Sequence, residues 1–401
     1  MNRVWQQLAI ATNWPVLVAA GVLSALGMIS IWAYDPVDGT RQIVFLCVAV
    51  GCMALFQAVD YRVIGRLSWG FYVLSLLLVL YTVVGGLAEQ RKVHWLPGVK
   101  ITNGACNWIR FGTFGLQPAE LMKVAFILVL ARYLRFRSNY RTFKGLIAPF
   151  ALALVPMVAI LKQPDLGTAL VFIPILFAML FVAGAKLSHL LAIMAVGLAL
   201  SPVAWFAGTD RNGEPFTRVP GFRYLPTMVK DYQRARVKAL FTTEHDPAMM
   251  KKESYQTFEA TIAFASGGPT GKGPGNIPVG KHVPEAQNDM IFALIGEQFG
   301  FLGSAVVLGA YIVLFAAGIE IAAATKEPFG RLIALGIVAM LAGQTFLNLM
   351  VATRLMPVTG VTLPFVSNGG TSLLASYMAA GLLLNVGQNR PIVMAREAFE
   401  F

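Results

Sequence analysis

Long apolar runs recur from one end of the chain to the other, separated by short polar breaks. A membrane-spanning helix needs about 20 mostly apolar residues. Charge-free runs near that length predict spans at 13–34, 42–59, 67–88, 145–162, 166–185, 187–208, 331–353 and 370–388. Two further spans are less regular. One, 117–134, carries Glu120 and Lys123 in its first turns; the other lies within 289–322 and contains Glu297. The pattern therefore predicts an all-α polytopic membrane protein of about ten transmembrane helices, a single domain over 1–401. A long polar stretch, 209–288, separates the seventh span from the eighth.

Composition agrees. Of 401 residues, 57% are hydrophobic and 13% charged, against about 25% charged in a soluble domain. The net charge of +12 is read through topology and not as a nucleic-acid signal. With the N-terminus inside, the inner segments hold thirteen Lys and Arg and the short outer loops seven. Basic residues favour the cytoplasmic side, and long loops are exempt from the count. Both termini are thus expected in the cytoplasm, and 209–288 becomes an extracytoplasmic loop. The first run, lacking a small-residue cleavage site, reads as a retained span. Cys47, Cys52 and Cys106, with His94, His189, His245 and His282, show no ligand spacing, so no protein metal site is expected. No internal repeat is visible, which gives a repeat-built transporter no support.

Chemistry concentrates at the outer boundary of the eighth span, in PEAQNDMIFALIGEQFGFLG (284–303). Asp289 stands where the polar loop meets the apolar run. Partial burial raises a carboxylate pKa, which suits a general base or acid; the same residue could cap the following helix. Glu297 lies deeper, as a functional acid or as the partner of a nearby base. Glu120 and Lys123 share a helix face and suit a buried ion pair. Asp165, in QPDLGTAL, is placed as a helix cap and could face the same cavity. Trp108 and Trp95 lie in an outer loop near the interface. In DYQRARV, Arg234 and Arg236 are two apart, so one of them is expected to face solvent. GPTGKGPG (268–275) fails the phosphate-loop pattern, but its glycines and Lys272 could still hold a diphosphate; otherwise it is a flexible turn. In RLMPVTGVTLPFVSNGGTSL, Pro357, Gly360, Pro364 and Gly369–Gly370 forbid a continuous helix. Such backbone at membrane depth must be buried in protein or line a wet cavity, so a re-entrant loop in a cavity wall is expected.

Several of these pieces in one order carry a resemblance: GACNWIRFGTFGLQPAELMK (104–123), QPDLGTAL (163–170), DYQRARV (231–237), IAFASGGPTGKG (262–273), PEAQNDMIFALIGEQFG (284–300) and LMPVTGVTLPFVSNGGTSLL (355–374). Over nearly its whole length the chain resembles the SEDS family (shape, elongation, division, sporulation), the RodA/FtsW-type peptidoglycan polymerases. The resemblance implies a multi-pass protein of the bacterial plasma membrane that joins lipid II disaccharides into β-1,4-linked glycan strands and releases undecaprenyl diphosphate. It matches Asp289 to the family's essential aspartate, a general base on the acceptor 4-hydroxyl. It sets Glu120, Lys123 and Asp165 along the central cavity and makes Glu297 a recurrent acid. Trp108, Arg234, Arg236 and Lys272 complete the expected substrate-binding set. The leaving diphosphate would be met by Lys272, Arg234, Arg236, Arg110 or a divalent cation such as Mg or Mn. A class B penicillin-binding protein, the cross-linking transpeptidase, is the implied partner, with spans eight and nine as the expected contact. DYQRARV followed by HDP (245–247) is similar to the elongation (RodA-like) branch. The alternatives are the division (FtsW-like) polymerase, a lipid II transporter or flippase, and a non-catalytic scaffold. The chain departs from the family pattern at Asn107, Ala119, Glu259, Gln287, Asn288 and Asn368.

Overall fold

The computed structural model describes residues 13–90, 97–99, 105–112, 114–137, 139–209, 216–217, 224–227, 229, 231–241 and 252–389. Trp95, His94, the HDP run and the basic residues Arg3, Arg91, Lys92, Lys100, Arg390 and Arg396 used in the topology count lie outside them.

The apolar runs fold as helices. They are α1 (Trp14–Tyr34), α2 (Pro36–Ala58), the short α3 (Tyr61–Arg66), α4 (Ser68–Gln90), α5 (Pro118–Phe136), α6 (Ile147–Lys162), α7 (Leu166–Ala183) and α8 (Leu187–Phe206). The long loop contributes α9 (Asp231–Leu240) and α10 (Lys252–Ser266); α11 (Ile291–Ala324), α12 (Pro328–Ala352) and α13 (Gly370–Gln388) follow. Helix α2 starts six residues before its expected boundary at 42, because Asp35 accepts from Val37 N at 2.8 Å and Pro36 opens the first turn. Asp38 and Arg41 in its first turns hid that start from a reading based on charge-free runs.

Among the described residues, nine helices are long and apolar enough to cross a membrane. Helix α5, expected as a further span, is not among them, since it carries Glu120, Lys123, Arg132 and Arg135. It packs against α4, α6, α7, α12 and α13, and Val124 to Ala131 are completely buried. Glu120 and Lys123 are therefore covered by protein, while Arg135 at the far end is exposed. Helix α13, buried along nearly all of its length, packs on α2, α12 and α5. Helix α8 contrasts with both, resting only lightly on α7 and exposing most of its apolar side chains.

The segment before α5 is an antiparallel hairpin, β1 (Ile109–Phe111) with β2 (Phe114–Leu116), in which Ile109 pairs with Leu116. It delivers Gln117 to the start of α5. Helix α11 is not one continuous span. Gly300 has φ 65° and ψ −158°, which breaks it into 291–299 and 301–324. Thirty-four residues at about 1.5 Å each would overshoot the bilayer, and the break leaves the second part to cross.

Between α12 and α13 the chain is irregular and buried, with Val361, Leu363, Phe365, Val366 and Ser367 all inside. This matches the re-entrant loop expected from its prolines and glycines. Its backbone groups find protein partners: Leu363 N donates to Ser367 Oγ, and Tyr311 Oη to the Pro364 carbonyl.

Candidate active site

Asp289 lies in the turn just before α11 and does not cap it. The N-cap is Met290, and no side chain bonds the first N–H groups. The carboxylate is therefore left available, and it is half-buried. The re-entrant loop passes it at Gly360, where an added Cβ would stand 3.8 Å from Asp289 Oδ2. Burial pushes the carboxyl up to about 6, helped by the negative fields of Glu285 and Asp165 and opposed by Arg236. A carboxyl tuned toward neutrality is suited to take a proton from a hydroxyl.

Asp165 caps α7. Its Oδ1 accepts from Thr168 N at 3.0 Å, and its Oδ2 accepts from Thr168 Oγ1 at 2.9 Å and Gln117 Nε2 at 3.0 Å. Burial raises its carboxyl, and the Thr168 hydrogen bonds pull it back. Glu120 and Lys123 act on Asp165 electrostatically, and Asp165 acts on Asp289. Lys123 Nζ bonds Glu120 Oε1 at 2.8 Å, with the two residues only 1% and 5% exposed. A dehydrated pair of this kind holds its geometry, since separating it strands a buried charge. The four residues thus form one polar line from the interior of α5 to the turn before α11.

Of the two arginines of α9, Arg234 is buried and Arg236, half-buried, is the more open. Arg234 is buried, donates to Val229 O and Ala207 O, and stacks its guanidinium over Phe216 at 3.5 Å and Trp205 at 5.2 Å. Arg236 donates to Val358 O at 3.0 Å and is the cation whose field reaches Asp289. Through these bonds Arg234 ties α9 to the end of α8 and Arg236 ties it to the loop before α13.

The glycine-rich loop splices the broken helix. Lys272 N and Gly273 N donate to the Glu297 and Gln298 carbonyls, and Phe301 N and Leu302 N donate to the Gly268 and Pro269 carbonyls. Gly271 (φ 81°) meets the Gln298 carbonyl so closely that a Cβ would stand 2.2 Å from it. The Lys272 ammonium is engaged as well, at 2.8 Å from Glu297 Oε1. Glu297 is fully buried and also accepts from Val279 N at 3.1 Å and Gly280 N at 2.7 Å. The recurrent acid and the expected diphosphate base are therefore partners of each other. Trp108 is half-buried, its ring lying against Gly115 of the hairpin.

Sequence reasoning missed the residues that hold the Asp289 turn. Three successive carbonyls are tied down: Gln287 O by Asn368 N at 2.9 Å, Asn288 O by Ser367 Oγ at 2.6 Å, and Asp289 O by Asn348 Nδ2 at 2.9 Å. Asn348, a buried amide within an apolar span, was the available signal. Among the described residues no three His, Cys, Asp or Glu side chains converge on one point.

A polytopic helical bundle with a tuned carboxylate at its mouth and a dehydrated charged line behind it defines a membrane-embedded transferase. The cell cycle protein family that groups FtsW, RodA and SpoVE matches residues 4–391, and the chain belongs to that family of peptidoglycan glycosyltransferases. A probable peptidoglycan glycosyltransferase FtsW of Geobacter metallireducens is 31% identical over 389 residues, covering 92% of this chain and 93% of the relative. Stage V sporulation protein E of Bacillus subtilis is 31% identical over 93% of this chain and 94% of its own. Among solved structures, one described as the structural coordination of polymerization and crosslinking by a peptidoglycan synthase complex matches with TM-score 0.75 and 29% identity, over 94% of this chain and 98% of that one. The rod shape determining protein RodA of Thermus thermophilus matches with TM-score 0.65 and 27% identity, over 94% and 97%.

Proposed function

We propose that this glycosyltransferase polymerises lipid II at the outer face of the bacterial plasma membrane, with Asp289 as the general base. The observation that carries the reading is the Asp289 carboxylate itself: not engaged in capping α11, half-buried, raised to about 6 and passed by the backbone of Gly360. Asp289 takes the proton of the acceptor sugar's 4-hydroxyl as that oxygen attacks the donor's anomeric carbon. The bond to undecaprenyl diphosphate breaks, its electron pair leaves with the diphosphate, and the α linkage becomes β-1,4. An inverting displacement needs the base and the leaving group on opposite faces of the sugar. The leaving diphosphate needs positive charge. Arg236, whose field reaches Asp289 and whose guanidinium also donates to Val358 O, is the proposed source of that charge. Purified protein supplied with lipid II should make glycan strands, and Asp289→Ala should make none. Undiminished polymer from a folded Asp289→Ala protein would overturn this reading. Repeating the assay with a chelator tests whether a divalent cation arrives with the diphosphate.

We read the chain as an elongation-branch enzyme, on DYQRARV at 231–237 and the likeness to RodA. The division-branch reading is favoured by relatives named FtsW. Complementation of strains depleted of one or the other polymerase decides between them. A class B penicillin-binding protein is the proposed partner; likeness to a synthase that couples polymerization to crosslinking supports it. Both termini are assigned to the cytoplasm on the charge distribution.

A further inference from the structure

The Asp289 turn has no regular secondary structure of its own to hold it. Residues 284–290 are turns, and Glu285 takes a left-handed backbone (φ 52°) that is strained for a residue with a Cβ. Such a segment keeps one shape only when its surroundings over-determine it. Here they do so through the backbone. Carbonyls 287, 288 and 289 each accept a hydrogen bond, from Asn368 N, Ser367 Oγ and Asn348 Nδ2 in turn.

Two of those donors are side chains with a second task. The same Asn348 amide nitrogen donates to Val361 O at 2.8 Å, so one side chain on α12 ties the Asp289 peptide to the re-entrant loop. Ser367 Oγ accepts from Leu363 N at 2.7 Å while it donates to Asn288 O, closing that loop and docking it with one hydroxyl. Both residues are buried, so water does not compete for these bonds. Both bonds go to peptide carbonyls, Asp289 O and Asn288 O, and not to the carboxylate.

Resting on the reading of Asp289 as the base, we infer that Asn348 and Ser367 are positioning residues that set where the Asp289 carboxylate stands by fixing its peptide against the re-entrant loop. The groups acting on that carboxylate come from three elements: Glu285 from its own turn, Asp165 from the cap of α7, and Arg236 from α9. Loosening the peptide lets the carboxylate move away from the Gly360 wall toward water.

The test uses full-length protein and lipid II, comparing wild type with Asn348→Leu, Ser367→Ala, Ser367→Thr and Asp289→Ala. Asn348→Leu keeps the volume and removes both donors; Ser367→Thr keeps the hydroxyl. Misplacement of a reacting group by about 1 Å can cost about 100-fold. Turnover of Asn348→Leu and Ser367→Ala should therefore fall about 10- to 100-fold with KM held within about twofold. The acid limb of their pH–rate profiles should move to lower pH, as a carboxylate released into water titrates near about 4. Hydrogen exchange across 284–290 should quicken, and Ser367→Thr should recover turnover. Turnover unchanged in both variants, or lost with exchange and acid limb unmoved, would overturn the inference. Should Asn348→Leu fail to fold, Ser367→Ala and Ser367→Thr decide the matter. Inactive wild type, or an active Asp289→Ala, would instead sink the functional reading, and the exchange measurement would still show whether these side chains hold the turn.

Discussion

Asp289 shows how one residue's placement sets both rate and stability. Its carboxyl is raised to about 6 by burial first and by Glu285 and Asp165 second. A general base works only when deprotonated, so polymerisation should rise with pH through about 6 and level off above it. A pH–rate profile measured at saturating lipid II checks this. The stability effect has the opposite sense. The folded state binds the proton more tightly than the unfolded chain, whose carboxyl titrates near about 4, so stability falls as pH rises between those values. Asp289→Asn should therefore melt higher than wild type at pH 7.5 while losing activity, and the gain should vanish at pH 4.5. Thermal unfolding at the two pH values measures it. Equal gains at both would mean that charge burial is not the cause.

At the level of elements, the broken helix α11 is held by a loop that sequence alone left open. Lys272 and the backbone of 279–280 surround the Glu297 carboxylate. Removing one partner of a buried pair costs about 3–5 kcal/mol, because the other charge is stranded. As Lys272 is partly exposed, Lys272→Met should cost no more than the lower end, about 3 kcal/mol, seen as a drop in the melting midpoint. Adding Glu297→Gln should recover part of that loss. Gly300→Ala should also destabilise, for two reasons. Its φ of 65° suits glycine, and a Cβ would stand 2.3 Å from Gly271 N. If Gly300→Ala melted with wild type, the spliced break would be dispensable.

The whole molecule places an irregular outer layer over a helical bundle. That layer comprises the hairpin, α9, α10, the glycine loop, the Asp289 turn and the re-entrant loop. With 209–288 on the outer side, a cysteine introduced at the exposed Asn276 should react with an impermeant thiol reagent on intact cells. Labelling only after lysis would reverse the topology and place Asp289 away from the assembling wall. The exposed apolar side chains Phe301, Leu302 and Phe346 on α11 and α12 lie on the expected partner spans. Cross-linking from these positions to a class B penicillin-binding protein tests that contact.

By itself the sequence determined the membrane class, nearly every span, the non-helical break before α13 and the Glu120–Lys123 pair. Hydrophobic run length and the positions of proline, glycine and charge are local quantities, so each was legible along the chain. What the tertiary structure decided was partnership. It released Asp289 from capping α11, gave Lys272 to Glu297, buried Arg234 beneath aromatic rings, and brought Asn348 and Ser367, 59 and 79 residues away, onto consecutive peptides. Which charge meets which, and which carboxylate is left over for chemistry, depends on how distant segments stack, and no local pattern encodes that.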